Sequence, residues 1–70
     1  MMPLTLAEVG EETIIRKIGG RQEVKAHLEN LGFVVGGAVT VISAIGGNVI
    51  VNVKDSRIAV SREMAQKMMV

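Results

Sequence analysis

The stretch Gly32–Val53, GFVVGGAVTVISAIGGNVIVNV, runs for twenty-two residues without one charged side chain. A helix crossing a bilayer needs about 20 mostly apolar residues, so length alone allows a membrane span. Composition argues against it. Eleven of the twenty-two are Val, Ile or Thr, whose branched β-carbons fit a pleated strand better than a helix. Gly36-Gly37 and Gly46-Gly47 cut the run into pieces of strand length, and Asn48 and Asn52 would lie in lipid with no evident partner. The stretch reads as β-structure.

Within it, Val39–Ile45 and Asn48–Lys54 flank Gly46-Gly47 and predict a hairpin with a two-residue loop of the primed type. That loop opposes Ile45 to Asn48, Ile42 to Val51 and Thr40 to Val53. A second two-residue loop at Asp55-Ser56 pairs Val53 with Ile58 and Val51 with Val60. Ile42, Val51, Val53, Ile58 and Val60 then share the core face of a three-stranded meander. Val39, Val41, Ile45 and Ile50 are left on the opposite face, which should be polar if it met only water. The helix, barrel curvature or a partner must cover it.

Upstream, Val24, Leu28 and Leu31 recur at helical spacing and predict a helix over Arg21–Leu31. Gly32 is placed to end it in the left-handed conformation, with Phe33 folding back on Leu28. Before it, Leu4–Leu6 reads as an extended opening, Glu8–Glu11 as a polar turn and Thr13–Ile18 as a first strand. Downstream, Ser61 is a candidate cap for a short helical turn with Glu63 in its first turn. Met64 and Met68–Val70 then return to pair with the first strand. The expectation is one domain over residues 1–70, mainly β, a small partly open barrel with one inserted α-helix.

Seventy residues without cysteine must hold together through packing alone, and the apolar share of 49% with one Phe makes that core aliphatic. The net charge of +1 is spread along the chain, whereas a nucleic-acid binder of this size shows a basic face and stacking aromatics. The N-terminus has no positive region before a long apolar run, so no signal peptide is expected and the cytoplasm is the expected location.

Chemistry is sparse. No phosphate-cradling loop of the G-x-x-x-x-G-K-[ST] kind occurs, and the sole His27 has no serine near it in sequence. Glu23 and His27 lie one helical turn apart and are the best metal-ligand candidates, for a weakly held Fe2+ or Zn2+, but two ligands do not make a site. Glu8, Glu11 and Glu12 read as a solvated acidic turn, and Met64 and Met68 as flexible core filling.

The order of the pieces resembles a family. PLTLAEVGEETIIRKIGG, then LENLGFVVGGAVTVIS, then GGNVIVNVKDSRIAVSREMAQKMMV, is similar to FeoA, the small cytosolic protein of bacterial ferrous-iron uptake. Leu31-Gly32-Phe33 followed by the Gly36-Gly37 pair, and the block Val53–Ala59, carry the likeness most specifically. The resemblance implies an SH3-like barrel with a helical insertion, and a non-enzymatic accessory that docks on FeoB, a membrane GTPase whose own domain would perform any GTP chemistry. It also extends to the C-terminal SH3-like domain of DtxR-type metal-dependent repressors. No winged-helix segment precedes it here, so a free-standing accessory is expected. A small divalent-metal-binding protein is the alternative. The partner-binding candidates are the leftover apolar residues Val41, Ile45 and Ile50 with Lys54 and Arg57 as a charged rim. A monomer, attached to membranes only through its partner, is expected.

Overall fold

The computed structural model describes all residues, 1–70. It opens on a 3-10 turn at Leu4–Leu6, followed by β1 (Glu12–Ile14), β2 (Lys17–Ile18), α1 (Gln22–Leu31), β3 (Ala38–Ile45), β4 (Asn48–Val53), β5 (Ser56–Ser61), α2 (Arg62–Gln66) and β6 (Met68–Met69). A four-stranded antiparallel sheet has the order β1-β3-β4-β5, and a two-stranded sheet pairs β2 with β6. The predicted first strand is thus two strands. Ile15, between them, exchanges hydrogen bonds with the loop at Gly36 and Gly37, while Arg16 N–H donates to Met69 O. The chain steps from one sheet to the other at this point, with the Ile15 side chain fully buried. Beyond β6 the two chain ends are tied together by mutual hydrogen bonds between Met2 and Val70, and by a bridge from Pro3 to Met69, while the two sheets leave the barrel partly open.

The helix forms one residue shorter than expected and ends as its sequence dictates. Gly32 adopts φ 108°, its N–H donating to Glu29 O, and Phe33 N–H reaches back to Leu28 O at 2.9 Å. That hydrogen-bond pair defines a Schellman ending. It turns Phe33 inward, so Phe33 and Leu28 both lie fully buried in the core. At the other end of the chain Ser61 caps α2 as expected, its hydroxyl oxygen accepting from Met64 N–H at 3.2 Å.

The hairpin register departs from expectation in two places. Ile45 opposes Asn48 across Gly46-Gly47, but the ladder then shifts between Val41 and Ser43, making Ile42 an extra residue. Beyond this bulge Val41 opposes Val51 and Val39 opposes Val53. A bulge lets two residues face one and changes the parity of everything past it. Val39 and Val41 therefore enter the core, where they are 1% and 5% exposed, and Ile42 is only half-buried. The second turn comes one residue earlier, at Lys54-Asp55, with φ of 48° and 63°. Two consecutive left-handed residues make a type I′ turn, whose twist matches the flanking strands. It pairs Val53 with Ser56, Val51 with Ile58 and Val49 with Val60. Val49 thus replaces Ile58 as a fully packed member of the core.

Candidate docking site

Directly opposed residues on neighbouring strands share a face, so the corrected register also defines what the core face leaves outside. One lateral row on the outer face runs Glu12, Thr40, Asn52, Arg57 across all four strands. Beside it lie Ser43, Ile50 and Ala59, and next to the first turn Ile45, Asn48 and Ser61. On the other side Ile14 opposes Ala38, with the Lys54-Asp55 turn next to it. Small Ala38 leaves a hollow there. An open depression of about 560 Å³ is lined by Glu12, Ala38, Thr40, Asn52, Val53, Lys54 and Asp55.

The partner-binding residues expected from sequence divide accordingly. Val41 is a core residue, because the bulge turns it inward, and it contributes no surface. Ile45, at the tip of β3, is 66% exposed, and Ile50 is half-buried in the middle of the outer face. Lys54 and Arg57 are exposed, Lys54 in the second turn and Arg57 opposite Asn52. The Lys54 stem also runs over the end of α1, since a β-carbon built on Gly32 would lie 3.6 Å from Lys54 Cδ. Glu12, Thr40 and Asn52 were missed in the sequence. Thr40 joins the outer face only once the bulge has been placed.

Glu23 and His27 are both exposed on α1, with no third ligand beside them, for no group of three or more His, Cys, Asp or Glu residues forms anywhere in the chain. The side-chain hydrogen bonds of the molecule are those of Thr13 Oγ1 to Val39 O and of the Ser61 cap. None of the four polar side chains in the Glu12–Arg57 row spends its donors or acceptors inside the chain.

A small, mainly β barrel, partly open, with one sheet face turned outward and bearing mixed polar and apolar side chains, is the frame of an SH3-like fold. The chain belongs to the FeoA family, whose domain model matches residues 2–70. It is 39% identical, over its whole length and 85% of the other chain, to a Methanocaldococcus jannaschii protein assigned the name Fe(2+) transport protein A. The crystal structure of an iron uptake regulatory protein (FeoA) superposes with a TM-score of 0.89 at 26% identity, over 99% of this chain and 92% of that one. The solution structure of iron(II) transport protein A from Clostridium thermocellum shares the fold with a TM-score of 0.90 at 18% identity, over 97% of this chain and 43% of that one.

Proposed function

We propose that this chain is a non-enzymatic cytoplasmic accessory of ferrous-iron uptake, which docks on and modulates the cytosolic part of a FeoB-like membrane GTPase. Family membership supports the iron-uptake role. The observation that carries the docking role is that Ile45, Ile50 and Arg57 lie on one side of one sheet, with Lys54 in the adjoining turn. Exposed apolar residues rimmed by charge are the usual composition of a transient protein interface. No helix of the chain is long and apolar enough to cross a membrane, and in this reading the transporter carries the ion across.

The test is co-purification with the partner's soluble GTPase domain, using Ile45→Ser/Ile50→Ser and, separately, Arg57→Glu. Each variant is first checked for a native far-UV circular dichroism spectrum. Loss of binding by either folded variant is the expected result. Undiminished binding by both rules this face out. Arg57 is exposed, so its variant keeps the test decisive even if the apolar pair proves necessary for folding.

A further inference from the structure

The charged row on the outer face has a symmetry of its own. It begins with an acid on the edge strand β1, Glu12, and ends with a base on the opposite edge strand β5, Arg57. Between them stand two uncharged groups that both donate and accept hydrogen bonds, Thr40 and Asn52. Three strand spacings separate the ends, about 14 Å. A two-fold axis parallel to the strands, through the middle of the row, lays a second copy face to face with the first. Glu12 of each copy then meets Arg57 of the other, and Thr40 of each meets Asn52 of the other. Lys54 of each copy comes over Ala38 of the other, at the depression lined by the acids Glu12 and Asp55 and by that copy's own Lys54. Such an interface is isologous, each contact occurring twice.

We propose that the outer face of the β1-β3-β4-β5 sheet is a homodimer interface, occupied by a second copy of this chain in antiparallel charge register. Charge complementarity identifies the occupant, because the row is its own complement only under this operation. Any other acid-base partner would have to reproduce the same spacing in reverse. Exposed ion pairs contribute little each, and the row supplies only two of them to the dimer, one at each end. The dimer is therefore transient, with the monomer as the dilute species, and salt weakens it. The inference rests on the face and not on the iron-uptake role. A dimer would hide the surface assigned above to the transporter, so dimerisation and docking compete.

The experiment is sedimentation equilibrium from micromolar to millimolar concentration, at low and high salt, on the unmodified chain and on Glu12→Arg and Arg57→Glu. The unmodified chain should dimerise at low salt, and each single variant should associate about tenfold more weakly or worse, since like charges then face each other. The decisive sample is an equimolar mixture of the two variants. There the arginine introduced at position 12 meets the glutamate introduced at position 57, and the native Arg57 meets the native Glu12, so association returns. A monomer at all concentrations overturns the proposal, as do single variants that dimerise normally or a mixture that stays monomeric. Glu12 and Arg57 are both exposed, and the salt dependence of the unmodified chain gives a readout independent of any variant.

Discussion

Gly32 holds φ 108°, a conformation that places a β-carbon against the following carbonyl oxygen and costs about 1–2 kcal/mol in any other residue. Space is not the constraint: a β-carbon there would make only ordinary contacts with Lys54 and Val53. The penalty of Gly32→Val is thus almost purely conformational, and it falls on the hydrogen-bond pair that aims Phe33 into the core. The expected outcome is a melting temperature lower by about 4–8 °C or more, since 1 kcal/mol shifts a domain of this size by that much. An unchanged melting curve would mean that the Schellman ending contributes nothing. His27 faces solvent one turn from Glu23 and lacks a third ligand, whereas a stable site for Fe2+ or Zn2+ takes three or four protein groups. Anaerobic calorimetry on the isolated domain should therefore show no one-to-one site of micromolar affinity. Finding one that disappears in His27→Ala would make a metal carrier the better description.

Of the two α-helices, α2 is the shorter, and its five residues deliver the chain from β5 to β6. A helix this short cannot persist on propensity. It is held by the Ser61 cap and by Ala65, fully buried beneath it. Removing the cap with Ser61→Ala should cost about 1 kcal/mol and be visible as a melting temperature reduced by several degrees, recovered in Ser61→Asp. Caps of this kind are legible in sequence because they act over three residues, and so was the Gly32 ending. The strands were legible as strands and less so as ladders. Nothing in AVTVISAI marks Ile42 as the extra residue of a bulge, for the partner strand and the curvature of the barrel decide where the ladder slips. Nor does VKDSR reveal its turn: Asp55 is a residue type that tolerates positive φ, but Lys54 also takes it, which its residue type alone would not suggest. The bulge displaces register by one residue and the earlier turn displaces it by two, so only the bulge changes which face a side chain takes. Because side chains alternate with period two, the first moved Val39 and Val41 from the outer face to the core, and the second moved Val49 opposite Val60. The docking face changes with the bulge alone, which sends Val41 inward and brings Thr40 out beside Asn52.

For the molecule as a whole, the second sheet is only β2 and β6, two residues each, and it ties the two ends of the chain together. Met68 is fully buried there, opposite Ile18, and Val70 beyond it is 9% exposed while it exchanges hydrogen bonds with Met2. A seventy-residue domain with no disulfide has a total stability of only about 3.5–10 kcal/mol. Truncating a fully buried Met to Ala costs about 2–5 kcal/mol, through lost transfer energy and the cavity left behind. Met68→Ala therefore consumes a large part of what holds the fold, and it does so at the strand that ties the chain ends together. It should lower the melting temperature by 10 °C or more on the scale of about 4–8 °C per kcal/mol, or abolish cooperative unfolding. Met64, one helical turn earlier and only half-buried, is the matched control. Its replacement by Ala removes the same atoms from a partly solvated place and should cost clearly less. Thermal melts of the two variants, followed by circular dichroism, compare this tie against packing in general. Equal losses would mean that β6 is one contact among many, whereas a large gap between them would identify the short C-terminal strand as the clasp of the barrel.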